Sequence, residues 1–396
     1  MNVFEMRNNL LICDSYPLPE ISGADMRTMH YARALTRLGN LDIAFRSYDQ
    51  HADLVASIFC HKYHLETIQH PKGALRKMYY NCKNIPYPIT CFTGTEVKRM
   101  VHIINSGYYN NIVVRYLRNV SSLAGVHKDH LSKIIVDIDD VMNNSVYETF
   151  FEHSLNPLKR MVRSINKYHV YLYQRLALSK FKSVFCSGID MASCMTGHSR
   201  SFVIPNVYTN EVVTSHTFGE GYGNRNCLLF VGLLKYPPNV NGLKWFISEI
   251  YRKFSDRYAD AECLVVGRDP CEDVKSICSE HGNIELHADV ESLVPYYERA
   301  RAVVVPILAG GGTRIKILEA GLTGRPVLST PIGAYGLDLR DGKDILLFDN
   351  SEEFMLRYEE LSNREKYESL SQSLKDVVTK KYSADAFENA LYKVLT

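Results

Sequence analysis

The sequence has no window of about 18 uninterrupted apolar residues, the length a membrane-spanning helix needs. Its N-terminus, Met1 to Ile12, carries Glu5, Arg7, Asn8 and Asn9 before a short apolar run. An apolar segment followed by a small-residue cleavage site is missing, so no secretory signal is expected. None of the 10 cysteines is spaced as Cys-x-x-Cys. That excludes a zinc knuckle and a thioredoxin-type motif. Cys13, Cys186 and Cys263 lie inside apolar runs, as free buried thiols in a reducing cytosol do. In that compartment the sequons at Asn119 and Asn143 carry no glycan. Acidic residues are absent from His153 to Ile189, while Arg160, Arg163, Lys167 and Arg175 are present there.

What is present is ordinary for a folded chain: 46% hydrophobic and 23% charged residues, which excludes disorder. With 396 residues the chain exceeds the roughly 250–300 that one core supports, so two domains are expected. Charge divides between the halves. Residues 1–200 hold 24 Lys and Arg against 16 Asp and Glu; residues 201–396 hold 22 against 28. A basic half points to an anionic partner. No nucleic-acid module accompanies it, so nucleic acid is not the expected partner.

Short apolar runs alternate with helical patterns. Asn9–Cys13, Asp42–Arg46, Ile112–Arg115, Lys133–Ile138 and Ser183–Cys186 read as strands. Ala24–Leu38 and about Pro157 to Lys180 read as helices. The polar, Gly-rich segment Thr214–Asn226 reads as a linker or a surface loop beside one. The pattern then restarts, with strands at Cys227–Gly232, Glu262–Gly267, Ile284–Leu286, Ala302–Pro306, Pro326–Ser329 and Ile345–Leu347. The helix Asn239–Tyr258 repeats Leu243, Phe246, Ile247, Ile250 and Phe254 at helical spacing. Helices at about Arg364–Lys380 and Ala384–Leu395 close the chain. Strands separated by helices imply α/β architecture, here two successive parallel sheets. Ligands of such sheets bind at the carboxyl ends of the strands.

The sharpest local signal runs from Val303 to Ala320. An apolar strand enters Gly310-Gly311-Gly312, then a helix expected near Thr313. Glycines let backbone N–H groups approach an anion, and a helix N-terminus adds positive partial charge. Arg314 and Lys316 oppose the helix dipole there, a placement that makes sense beside a di-anion. Glu319 lies about 9 Å along the axis from Thr313. At that distance a carboxylate could accept hydrogen bonds from the ribose of a nucleotide whose diphosphate caps the helix. The alternative is a Gly-rich turn with a solvated Arg and Lys.

These stretches resemble the donor-binding domain of family 4 glycosyltransferases. The matching segments are Leu229 to Asn239, Leu264 to Gly267, Gly310 to Ala320, Pro326 to Leu337 and Lys381-Tyr-Ser383. Ile21 to His30 resembles the family's N-terminal glycine loop and helix. The resemblance implies the GT-B fold: two Rossmann-like doubly wound domains facing across a cleft. The implied division is an acceptor-binding domain at 1–205, a donor-binding domain at 206–375, and a C-terminal helix at 376–396 packing back on the first. It implies that Arg314 and Lys316 hold the diphosphate and that Glu319 binds the ribose. Ser22 and Gly23 would abut the diphosphate, and Gly311, Gly312 and Thr313 would meet the sugar or phosphates. Gly267, Arg268 and the Asp289–Leu293 loop would frame the base. Two departures stand out. Many family members have a Glu where this chain has Gly311. Many also have an Arg and a Lys after the first strand of that domain, where this chain has only Lys235.

The implied activity is retaining, metal-independent transfer of a hexose from a nucleotide-diphosphate sugar. The implied acceptor is a saccharide or lipid-linked molecule, in bacterial surface polysaccharide or glycoconjugate synthesis. No cofactor is expected. The implied location is cytoplasmic, with the basic stretch after His153 meeting an anionic membrane peripherally or simply facing water. The other readings are a nucleotide-sugar epimerase on the same fold and a non-catalytic nucleotide-sugar-binding subunit. Asp137-Ile-Asp139-Asp140 could hold a metal, could position the acceptor hydroxyl through Asp139 or Asp140, or could cap a helix. His127 and His130 have ligand spacing but no third partner nearby. His30 reads as a partly buried helix histidine.

Overall fold

The computed structural model describes residues 7–18, 23–46, 58–67, 92–138, 178–186, 201–207, 222, 226–309 and 314–395. They form two compact units. One holds the described residues up to Pro205 together with those from Phe387 onward; the other spans Asn206–Ala386.

The first unit is built on β1 (Arg7–Ile12), β2 (Gly39–Phe45), β3 (Lys62–His64), β6 (Asn111–Arg115), β7 (Ile134–Asp137), β8 (Ser183–Cys186) and β9 (Ser201–Val203). They align in the order β3-β2-β1-β6-β7-β8-β9, and every neighbouring pair is parallel. Two short strands, β4 (Glu66–Thr67) and β5 (Phe92–Thr93), pair antiparallel outside this sheet. β3 and β9 fall where the apolar signal is weak, and sheet pairing rather than local pattern makes them strands. Leu10, Leu11, Ile12, Val113, Val114, Ile134 and Ile135 are almost wholly buried, as expected for strands covered on both faces.

The helix Gly23–Leu38 follows β1 and buries Tyr31, Ala34 and Leu35. The closing helix Ala384–Leu395 packs on it. The Tyr31 and Phe387 rings meet edge to face at 4.9 Å, and Tyr392 Oη donates to the Ala34 carbonyl at 3.1 Å. The preceding helix, Arg364–Lys381, belongs instead to the second unit, where Leu374 and Val378 are core residues. The division expected between 375 and 376 therefore lies inside a helix, and the chain changes units after Ala386.

The second sheet contains β10 (Cys227–Val231), β11 (Glu262–Gly267), β12 (Ile284–Ala288), β13 (Ala302–Val305), β14 (Val327–Ser329) and β15 (Leu346–Leu347). Its order is β12-β11-β10-β13-β14-β15, all parallel. β10 alternates its side chains between two cores. Leu228 and Phe230 enter one, Cys227, Leu229 and Val231 the other, as period-two geometry requires. The helix after β10 starts at Pro237, earlier than the apolar stripe suggests, because proline is at home in a first helical turn. It continues through a π-helical turn, Phe246–Tyr251, to Arg257, and its five stripe residues are all fully buried. Among the described residues no helix is long and apolar enough to cross a membrane.

Candidate functional site

In the second sheet the winding direction reverses between β10 and β13. The carboxyl ends at such a reversal leave a crevice between the loops that follow the two strands. The loop after β10 begins at Gly232. The segment after β13 leads to Arg314 and the helix Ile315–Leu322. Arg314 is the N-cap residue, with extended backbone, so the helix begins two residues later than the sequence suggests.

Lys316 sits in the first turn of this helix, half-buried. Its Nζ donates to Asn239 Oδ1 at 3.2 Å and lies 4.7 Å from the centre of the Phe230 ring. Asn239 in turn donates from Nδ2 to the Leu233 carbonyl at 3.0 Å. Asn239 thus ties the ammonium to the turn that follows β10. Gly232 makes this possible: a Cβ there would stand 2.7 Å from Asn239 Nδ2 and 3.0 Å from Lys316 Nζ. Burial, aided by the neighbouring Arg314, pushes the Lys316 ammonium down to about 7, and Glu319 acts in the opposite sense. A nearby anion would raise that value and favour the charged form.

Glu319 is 8% exposed, and Oε2 accepts a hydrogen bond from Tyr297 Oη at 3.0 Å. Gly267 ends β11. A Cβ on it would fall 1.7 Å from the Gly232 carbonyl oxygen, so only glycine lets these strand ends converge. Beyond it, Arg268 is exposed and its carbonyl accepts from Leu234 N at 2.8 Å. Asp269 and Asp289, after β11 and β12, both hold left-handed backbone, with φ of 51° and 53°. They interlock: Asp269 N donates to Asp289 Oδ1 at 3.1 Å, and Asp289 N to the Gly267 carbonyl at 2.9 Å. Strained residues of this kind collect at ligand sites.

Of the expected site residues, Lys316 and Gly267 both approach Gly232, Arg314 and Glu319 lie at the start and along the helix that carries Lys316, and Arg268 follows Gly267. Gly23 opens a helix in the first unit. Ser22, Gly311, Gly312, Thr313, Asp139 and Asp140 lie outside the described residues, as does most of the basic stretch after His153.

In the first unit Asp137 ends β7 and is fully buried. It accepts from Arg27 Nε and Nη2 at 2.9 and 2.8 Å, and also from Arg115 Nη1. Burial opposes ionisation, but the two guanidinium groups win and hold the carboxyl below its ordinary range. Arg27 also donates to the Ile204 carbonyl at 2.8 Å, and Arg115 to Thr28 Oγ1 at 3.2 Å. Asp137 is thereby committed to a structural brace and is a poor metal ligand. No group of three or more metal-ligating side chains occurs among the described residues. His30 stacks obliquely on Phe387 at 5.7 Å; burial, with Arg33 and Arg27 nearby, pushes it down to about 4.

Asn239, Tyr297, Arg27 and Arg115 carry much of this geometry but drew no role from the sequence alone. Asn239 could have been suspected as a polar residue just inside a Pro-Pro helix start. Tyr297 offered no local signal.

Residues 225–364 match the family model described as glycosyl transferases group 1. A curated relative, the "uncharacterized 44.6 kDa protein in cps region" of Klebsiella pneumoniae, is 25% identical over 198 residues. That match covers 46% of this chain and half the length of the relative. Solved structures similar over nearly the whole chain include HepE and WaaG. HepE of Anabaena, in complex with UDP and glucose, has a TM-score of 0.62 at 11% identity, covering 98% of this chain and 99% of that one. WaaG, a glycosyltransferase involved in lipopolysaccharide biosynthesis, has a TM-score of 0.64 at 12% identity, covering 98% of each chain. The chain therefore carries the GT-B fold, with a glycosyl transferases group 1 match over residues 225–364 of its second unit.

Proposed function

We propose that this chain is a retaining, metal-independent glycosyltransferase that takes a hexose from a nucleotide-diphosphate sugar. The observation that carries the reading is the Lys316 ammonium, half-buried at the β10/β13 crevice and three residues from the buried Glu319. Transfer leaves a diphosphate with growing negative charge. Fixed cations away from bulk water stabilise such charge strongly, and Arg314 and Lys316 would do that work. Glu319 would accept hydrogen bonds from the ribose, and the strained Asp269 and Asp289 loops would frame the base. Retention would follow from attack of the acceptor hydroxyl on the face the diphosphate leaves. HepE's complex with UDP and glucose supports a uridine nucleotide. The role of WaaG in lipopolysaccharide biosynthesis supports a saccharide or lipid-linked acceptor in surface polysaccharide synthesis. Asp139 or Asp140 would position that acceptor, and the basic stretch after His153 would meet an anionic membrane surface.

The test is acceptor-free donor hydrolysis with UDP-, GDP- and ADP-sugars. One donor should be hydrolysed slowly, and Lys316→Ala should cut turnover with it by about 10²-fold or more while the circular dichroism stays unchanged. A folded Lys316→Ala variant with near-normal turnover refutes the assignment. Binding without any hydrolysis or transfer would favour a non-catalytic nucleotide-sugar-binding subunit.

A further inference from the structure

We infer that Tyr297 is a positioning residue for Glu319, and that Arg325 locks the pair in place. The inference deepens the donor site proposed above and rests on the ribose reading of Glu319. Tyr297 lies on the helix Val294–Arg299 and Glu319 on the helix Ile315–Leu322. Tyr297 is fully buried. Its Oη meets Glu319 Oε2 at 3.0 Å. Burial first, then the charge of Glu319, pushes the Tyr297 hydroxyl well above its ordinary value, so it stays a donor at any working pH. In this bond the phenol donates and the Glu319 carboxylate accepts.

Tyr297 is also held from behind. Arg325, 1% exposed, donates from Nε to the Tyr297 carbonyl at 2.6 Å and from Nη2 to the Glu298 carbonyl at 3.3 Å. These carbonyls belong to the last turn of a six-residue helix, where partners within the helix run out. The backbone N–H of Arg325 donates to the Ala320 carbonyl at 2.9 Å, at the end of the Glu319 helix. The contacts close a ring: the Glu319 helix, Arg325, the Tyr297 helix, and Glu319 again. A carboxylate held in such a ring has its rotamer chosen before a nucleotide arrives, which removes an ordering cost from binding.

Calorimetry on the full chain tests this. The probes are whichever of UDP, GDP and ADP binds best, and the 2′,3′-dideoxy form of the same nucleotide. Wild type should bind the ribonucleotide about tenfold more tightly than the dideoxy form, the scale of a hydrogen bond to a charged group. Tyr297→Phe should lose most of that preference while its affinity for the dideoxy form stays unchanged, which also certifies the fold. In a Glu319→Gln background Tyr297→Phe should have no further effect. Should Tyr297→Phe not fold, Arg325→Lys is read the same way, because an ammonium cannot span both carbonyls, and it should lose part of the preference. If wild type shows no preference, the ribose reading of Glu319 fails and this inference with it. If wild type prefers the ribonucleotide and the variants retain the full preference, the positioning role alone fails.

Discussion

Lys316→Met separates the function of this side chain from its effect on the fold. The substitution keeps most of the length of the side chain, one atom shorter, and removes its charge. In the folded protein the ammonium titrates near 7, against an ordinary value of 10.5. Below pH 7 the wild-type side chain is charged in both folded and unfolded states, and folding carries the full penalty of the partly buried charge. Between pH 7 and 10.5 the unfolded chain binds more protons than the folded one, so wild-type stability rises with pH. Above 10.5 the group is neutral in both states and the penalty is gone. At about 1.4 kcal/mol per pH unit the gap sets a ceiling of about 5 kcal/mol. The side chain is only half-buried, so solvent screening reduces the expectation to about 2 kcal/mol. Met also leaves Asn239 Oδ1 without its Lys316 donor, costing about 1–3 kcal/mol at every pH. That constant offset cancels in the slope. Urea midpoints of both proteins at intervals from pH 6 to 10.5 are the assay. The wild-type protein should gain about 2 kcal/mol relative to Lys316→Met across the window. A difference independent of pH, or one that shrinks in the other direction, would refute a Lys316 that folding has partly desolvated.

Three further outcomes follow from the geometry. Asp137→Asn leaves Arg27 and Arg115 buried without their shared counter-charge and should cost about 3–5 kcal/mol in chemical denaturation; a loss below about 1 kcal/mol would mean that the carbonyl and hydroxyl partners suffice. Gly267→Ala places a Cβ against the rigid Gly232 carbonyl and should cost about 1–3 kcal/mol or more, whereas Gly282→Ala, with open space around it, should be near neutral; equal melting points would contradict the close approach of the strand ends. EDTA should leave donor turnover largely intact, and complete loss restored by Mn²⁺ would show that a metal takes part.

Much of the architecture is legible in the sequence because strands of a parallel sheet covered on both faces read as short apolar runs. Val303–Val305 and Leu264–Val266 are of this kind. The helix after β10 shows its buried face through Leu243, Phe246, Ile247, Ile250 and Phe254. The junction of an apolar strand with Gly310-Gly311-Gly312 and Arg314 marks where the chemistry is to be sought. These signals are local: each depends on residues within a few positions of one another. Weakly apolar strands such as Lys62–His64 and Ser201–Val203 escape such a reading, because their strand character comes from the neighbour they pair with.

The sequence by itself determined the two α/β units, the buried faces of their elements, and the candidate chemistry of Arg314, Lys316 and Glu319. Local periodicity records which face of an element is apolar, and that is enough for burial. Only the tertiary structure decided what those side chains meet. Lys316 finds Asn239 across 77 residues, Glu319 finds Tyr297 across 22, and Asp137 finds Arg27 across 110. Such polar pairs follow no period along the chain. They exist because buried donors and acceptors must find partners, and the packing of helices around a sheet decides which partners are within reach.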